Sequence, residues 1–328
     1  MDRRTLLARL AAFGAVASAQ VEAAAPPRRR RLAVLLFDRR ESWTWFEPEL
    51  RDELAALGWV EGKNLGLQWN YADGDLARLR SLAAQIVASA PDVIIVRGTP
   101  ATHVLQEATR TIPIVTGVGD PIGSGFAKTY AEPAGNVTGI SWAIAETTQK
   151  SVELLRLLMP RLSHLVVVWQ ADRVPFEQER TRPVEAAARA GGLTMRPVFV
   201  ADLGDLKEAL RLEPARGPTA ALVFNLGSDV GGSFEAVADV ALASRMPTMF
   251  EHRAFVDAGG LASYRLNWDR QTQRNAVQID KLFRGERPGK IPFELPTLQE
   301  FVLNLKTARA LGLAVPRTLL LRADAVVE

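Results

Sequence analysis

The sequence predicts an α/β fold of two doubly wound, parallel-sheet lobes joined by a three-stranded hinge. Three observations predict it. Short apolar runs, as expected of buried parallel strands, alternate with segments of helical periodicity. That alternation breaks at Gly135–Gly139 and then restarts. The chain has 328 residues, about what two domains of ~100–200 residues require, and the elements left after the second series are too few for a third.

Leu32–Phe37 is a continuous apolar run bounded by charges, hence a buried strand. Phe46, Leu50, Leu54 and Leu57 recur at helical spacing, and Gly58 closes that helix. Leu65–Trp69 alternates as a second strand, and Leu76, Leu79, Ala83, Ile86 and Val87 mark a second helix. Val93–Val96, Ala101–Thr109 and Ile112–Val115 read as strand, helix and strand. Repetition of this order implies a parallel sheet covered on both faces. After Gly139 come helix Glu146–Leu158, strand Leu165–Trp169, helix Phe176–Ala190 and strand Thr194–Val200. Helix Leu203–Leu212, strand Ala220–Phe224, helix Ser233–Ser244 and strand Pro247–Phe250 follow. Pro183 should kink or shorten its helix, because it lacks an N–H and clashes with the preceding turn.

The late elements are Leu261–Tyr264, an amphipathic helix over Asp269–Phe283 ended by Gly285 and Pro288, an alternating strand through Phe301, Leu303 and Leu305, and a helix over Thr307–Leu311. Their economical place is back in the two sheets. The chain then crosses between lobes near Gly139, Gly260 and Pro288. The expected division is 1–30 for a signal peptide and linker, 31–139 with about 265–288 for the N-terminal lobe, and 140–264 with about 289–328 for the C-terminal lobe. A cleft between lobes joined by several crossing strands is a favoured ligand site.

Met1-Asp2-Arg3-Arg4-Thr5-Leu6-Leu7, a short Ala/Leu-rich run and Ala17-Ser18-Ala19 make a secretory signal peptide, with cleavage expected after Ala19. Arg3-Arg4 followed by x-Leu-Leu resembles a twin-arginine signal, and Arg9 within the apolar run suits that less hydrophobic type. The competing reading is an amphipathic start to the first domain, against which the Ala/Pro-rich Ala23–Pro27 and the basic Arg28–Arg31 read as a linker. No later run approaches the ~18 apolar residues of a membrane span, so a soluble periplasmic protein with no stable membrane anchor is expected. The 40 basic and 37 acidic side chains give a net charge of +3, a poor electrostatic footprint for nucleic acid. The absence of cysteine excludes thiol nucleophiles, thiolate metal sites, disulfides and cysteine-linked lipid. His103, His164 and His252 are each isolated, so no metal-ligand spacing arises and no cofactor is predicted.

Catalytic signatures are missing as well. Gly117-Val118-Gly119-Asp120-Pro121 follows the fourth strand and does not fit G-x-G-x-x-G, and neither a P-loop nor a G-x-S-x-G elbow occurs. What remains is a set of residues at strand C-termini, where α/β folds bind ligands. Arg97-Gly98-Thr99-Pro100-Ala101 leads from a strand into a helix, with Thr99 as N-cap and Pro100 at the first helical position. Such a helix start either is simply capped or receives a carboxylate or phosphate. Trp43 and Trp45 follow the first strand as staple residues or as stacking surfaces for a ligand. Trp142 and its neighbour Ser141 follow the first crossover, and Trp169 suits core or cleft equally. In the second series Gln170, Asn225, Asp229 and Glu251 supply acceptors and donors at strand ends. The candidate ligand-binding set is therefore Trp43, Trp45, Thr99, Pro100, Ala101, Asp120, Ser141, Trp142, Gln170, Asn225, Asp229 and Glu251.

An ordered series of segments resembles the periplasmic solute-binding proteins of ABC importers, in the group of tryptophan-type binding proteins. It comprises Leu54–Asn64, Leu79–Val96, Gly98–Ala101, Thr111–Val115, Gly119–Pro121, Pro133–Ser141, Phe250–Tyr264, Leu303–Leu313 and the terminal RADAVVE. The resemblance implies a type I periplasmic-binding fold that closes on a small solute, delivers it to an ABC membrane permease, works as a monomer and is not an enzyme. Three places depart from the pattern: the Trp- and Arg-bearing loop Asp38–Trp45, the segment Val174–Pro183, and Arg265 after Tyr264. All fall at or near the expected cleft, so the expectation stops at a small polar or aromatic, carboxylate-bearing solute. The alternatives are a ligand sensor for a membrane kinase, an enzyme on a two-lobed fold, and the effector half of a repressor; the last has no room for a DNA-binding headpiece before Leu32.

Overall fold

The computed structural model describes residues 29–171, 174–211, 217–224, 226, 233–266, 268–295 and 299–328; the expected signal peptide, Asn225 and Asp229 lie outside them. The first sheet contains β1 (Arg30–Leu36), β2 (Leu65–Tyr71), β3 (Val93–Arg97), β4 (Ile114–Val118) and, beyond a small antiparallel pair β5 (Ala127–Thr129) and β6 (Glu132–Pro133), β7 (Val137–Ser141). Its order is β2-β1-β3-β4-β7, and every pair is parallel. The period-two alternation of strand side chains divides β1 between two cores. Leu32, Val34 and Leu36 pack with Phe46, Leu50 and Leu54 of helix Phe46–Ala56 and with Ala276, Ile279 and Phe283 of helix Trp268–Phe283. Ala33 and Leu35 pack on the other face with Leu79, Ala83 and Ile86 of helix Leu76–Ser89 and Leu105 of helix Thr99–Ala108. Each large side chain so buried contributes roughly 1.5–3 kcal/mol.

Residues 137–141, which overlap the break expected at Gly135–Gly139, are the fifth strand of this sheet. Gly139 is the reason: it sits opposite Thr116 of β4 at φ +156°, and a Cβ there would lie 1.9 Å from the Thr116 carbonyl oxygen. The glycine that looks like a turn signal is a demand of close strand approach.

The second sheet is built from β8 (His164–Gln170), β9 (Thr194–Val200), β10 (Thr219–Val223), β11 (Thr248–Phe250), β12 (Ala262–Leu266), β13 (Gln299–Asn304) and β14 (Ala325–Val327), in the order β14-β13-β12-β11-β10-β8-β9. Its pairs are parallel except β12 with β13. One helix spans Val174–Ala190, so Pro183 does not end it. β14 was not anticipated; it is three residues long and too short to show a period.

The chain leaves the second sheet at the C-terminal end of β12, adds helix Trp268–Phe283 and buried Ile291 and Phe293 to the cores of the first sheet, and returns as β13. Re-entry at the edge it left forces β13 antiparallel to β12. Gly260 is not at a crossing; it precedes β12, closed in by the Phe250 ring and the Phe255 carbonyl. The first and third passages touch: the Glu294 N–H donates to the Gly139 carbonyl at 3.0 Å, and the Ser141 N–H donates to the Glu294 carbonyl at 2.9 Å.

Candidate functional site

The C-terminal end of β3 carries Arg97, on the face that packs against helices Phe46–Ala56 and Trp268–Phe283. The period-two rule places it in line with Val93 and Ile95, at the mouth of an apolar core. Its guanidinium carbon lies 5.4 Å from the Trp43 ring centroid, 5.9 Å from Trp45, 5.1 Å from Phe46 and 5.9 Å from Trp142. Nη2 donates to Gln271 Oε1 at 3.3 Å, from the first turns of helix Trp268–Phe283. Arg97 is 4% exposed. Burial lowers its pKa to about 10, opposed by the nearby charge of Glu49, so the guanidinium stays protonated at neutral pH. Stacked cation–π contacts of this kind contribute ~0.5–2 kcal/mol each when desolvated.

Two chain segments bring the rings together. Trp43 ends a short 3-10 helix, Arg40–Trp43, and Trp45 and Phe46 follow it. Trp43 and Trp45 lie 5.9 Å apart and Trp45 and Phe46 5.7 Å apart by ring centroid. An ion pair holds this loop. Glu47, 6% exposed, accepts from Arg40 Nε at 2.9 Å, lies 3.5 Å from Arg51 Nη1, and accepts from the Tyr71 hydroxyl. The hydrogen bond from Arg40 holds the Glu47 carboxyl below its ordinary pKa against the cost of burial. Burial, and then the Glu47 carboxylate, push the Tyr71 hydroxyl up. Trp142 arrives from the end of β7 and lies across Gly117 of β4, where a Cβ would stand 2.7 Å from its Nε1. The glycine makes room for the indole.

The other expected residues have structural work of their own. Thr99 is not the N-cap: Gly98 occupies that position at φ +94°, and Thr99 and Pro100 open the helix. The left-handed backbone needed to turn from β3 into the helix favours glycine over threonine there. Asp120 Oδ1 accepts from the N–H groups of Ile122 and Gly123, at 3.0 and 2.9 Å, closing the turn after β4. Ser141 Oγ accepts from the Ala143 N–H at 3.1 Å, supporting a residue at φ +45°. Gln170 is buried at the end of β8, and Glu251 is half-buried after β11. Trp169 is core: it stacks on Phe224 at 4.5 Å. Near the second and third passages the Tyr264 hydroxyl donates to Gln299, whose Nε2 donates to Thr147 Oγ1 at 3.4 Å. Among the described residues no group of three or more His, Cys, Asp or Glu could hold a metal ion.

Trp43, Trp45 and Trp142 thus lie around one residue, Arg97, that the sequence reading missed. Phe46 and Gln271 carry no sequence signal beyond their helix faces. Arg97 does: it is a charge closing an otherwise apolar strand, Val93–Val96, at its C-terminal end.

The model of ABC transporter substrate binding proteins matches residues 37–327. A tyrosine-binding protein of Clostridioides difficile is 22% identical over 262 residues, 78% of this chain and 73% of that protein. A Streptococcus pneumoniae ABC domain solved in complex with L-Trp superposes with a TM-score of 0.75 at 24% identity, over 91% of this chain and all of that one. A conserved domain protein of Vibrio cholerae superposes with a TM-score of 0.74 at 25% identity, over 91% of this chain and 100% of its own.

Proposed function

The chain belongs to the ABC transporter substrate binding protein family, and from that premise we propose that it captures a small aromatic, carboxylate-bearing solute between two lobes and delivers it to an ABC membrane permease. The observation that carries the reading is the aromatic wall of Trp43, Trp45, Phe46 and Trp142 around Arg97 at the C-terminal edge of the first sheet. Three of these residues reach solvent: Trp45 is 39% exposed, and Trp43 and Trp142 are half-buried. An exposed indole at a strand end is costly to keep in water and gains by stacking on a flat, apolar solute. Relatives that bind tyrosine or were solved with L-Trp support the same solute class.

In this proposal residues 29–141 with 268–295 form one lobe and 144–266 with 299–328 the other. The helix start at Thr99–Ala101 offers the N–H groups of Thr99 and Ala101 to a solute carboxylate, and Gln170 and Glu251, at strand ends of the second sheet, supply polar groups from the other lobe. Closure is driven by contacts that exist only when both lobes touch the solute. The protein acts as a monomer, performs no chemistry on the solute, and is exported by its Arg3-Arg4 leader, with cleavage after Ala19. N-terminal sequencing of periplasmic protein tests the export. Calorimetry against aromatic amino acids, aromatic acids and neutral sugars tests the solute class; binding to sugars alone would refute it.

A further inference from the structure

The two sheets repeat one topology, and the repeat gives residues of one sheet counterparts in the other. Numbered along the chain, the strands of the first sheet lie in the order 2-1-3-4-5, and the parallel strands β8 to β12 of the second lie in the same order, β9-β8-β10-β11-β12. In each sheet a helix follows the third strand: Thr99–Ala108 after β3 and Phe234–Ala243 after β10. Phe234 therefore opens its helix in the second sheet as Thr99 does in the first, beyond the strand C-termini where α/β sheets receive ligands. Among the described residues, Trp45, Phe199 and Phe234 carry exposed aromatic rings. Phe199 lies within the edge strand β9, whereas Trp45 and Phe234 each lie past the C-terminal end of a strand.

Phe234 is 42% exposed, yet its ring is held. It meets Phe255 edge-on at 4.8 Å and lies nearly parallel to His252 at 5.5 Å. Phe255 in turn stacks on buried Phe250 at 4.7 Å. His252 is fixed as the N-cap of helix Arg253–Asp257, its Nδ1 accepting from the Ala254 N–H at 3.1 Å. Phe234 is thus the outer ring of a cluster rooted in the core, and a ring held by its neighbours loses little freedom when a solute stacks on it.

We infer that Phe234 is a solute-binding residue of the second lobe, which closes on the aromatic solute from the side opposite Trp45. The inference rests on the aromatic-solute reading above. It gives closure a ring contact that exists only when both lobes hold the solute. A well-placed pair of aromatic rings is worth about two- to tenfold in affinity beyond the area it buries.

The test uses the full chain, with L-tryptophan, L-tyrosine and indole-3-propionate as probes. In calorimetry Phe234→Ala should weaken the tightest of them at least about fivefold, and Phe234→Tyr, which keeps a ring, should stay within about threefold of wild type. The chain has no cysteine, so Phe234→Cys and the control Phe199→Cys each carry a single thiol. At saturating probe, maleimide labelling should slow at least about fivefold at position 234 and hold its rate at position 199. A Phe234→Ala variant that binds as tightly as wild type overturns the inference and leaves the aromatic reading standing. So does a thiol at position 234 that labels equally fast with and without probe. Wild-type protein that binds none of the three probes overturns both.

Discussion

Gly117→Ala is the sharpest perturbation of the aromatic wall, because it acts on one ring through one methyl group. Gly117 has no left-handed φ, so alanine is compatible with its backbone. The new Cβ would stand 2.7 Å from Trp142 Nε1 and 3.1 Å from Cε2 and Cζ2. Ordinary carbon contacts lie near 3.5–4.0 Å, so the indole must retreat by about 0.8–1 Å. Overpacking of a tight core costs roughly 1–3 kcal/mol, but Trp142 is half-buried and can swing toward solvent. Replacing glycine in a strand interior returns roughly 0.5–1 kcal/mol of backbone entropy. The two effects nearly cancel, and the melting temperature should move by less than about 3 °C for a protein of this length. Affinity for an aromatic solute should fall far more, by about tenfold, since the ring loses its place beside Arg97 and misplacement of about 1 Å at a site is expensive. Near-UV circular dichroism follows the ring, calorimetry the affinity and a thermal melt the stability. An unchanged affinity with a displaced ring would refute the claim that Trp142 contacts solute. A loss of affinity that merely tracks a loss of stability would refute it equally.

Three further outcomes are expected. Glu47→Gln removes an ion pair whose partner Arg40 is largely exposed, so at neutral pH it should cost only about 1 kcal/mol in urea denaturation. The folded Glu47 pKa is depressed, so its contribution is whole above the ordinary carboxylate range and lost as pH falls through the folded value; the gap between wild type and variant should narrow as pH falls below the ordinary carboxylate range. Gly139→Ala places a methyl against the Thr116 carbonyl of a neighbouring strand and should cost more than about 3 kcal/mol, read as loss of soluble folded protein. Glu294→Gln breaks the pair with Arg274 Nη2 at 2.8 Å, but the backbone bonds of Glu294 to Gly139 and Ser141 remain; with Arg274 half exposed, the melt should lose under about 1 kcal/mol.

Most of the first sheet was legible because β1 and β3 are continuous apolar runs buried on both faces, and the helices beside them repeat apolar residues at one spacing. Where the reading erred, a residue served two meanings. Gly139 resembles a loop glycine and is a strand glycine, and only the neighbouring carbonyl of Thr116 distinguishes the two. Thr99 resembles an N-cap, but the backbone turn ahead of it needs a left-handed residue, which Gly98 supplies. Neither fact is local to the sequence. The antiparallel run of β13 is likewise set by where the chain re-enters the second sheet.

The site was half legible for a related reason. Trp43, Trp45 and Trp142 advertise themselves, since a large apolar ring in a polar loop needs a partner. Arg97 does not, because an arginine at the end of a strand is ordinarily a solvated boundary charge. Its burial depends on two elements distant in the chain: the aromatic loop, pinned by Glu47, and helix Trp268–Phe283, which returns from the second sheet to present Gln271. A guanidinium can be desolvated there because flat rings stack on it and an amide accepts from it, whereas a lysine would present a compact, strongly hydrated charge. The place of Arg97 therefore exists only after the chain has crossed between the sheets and come back.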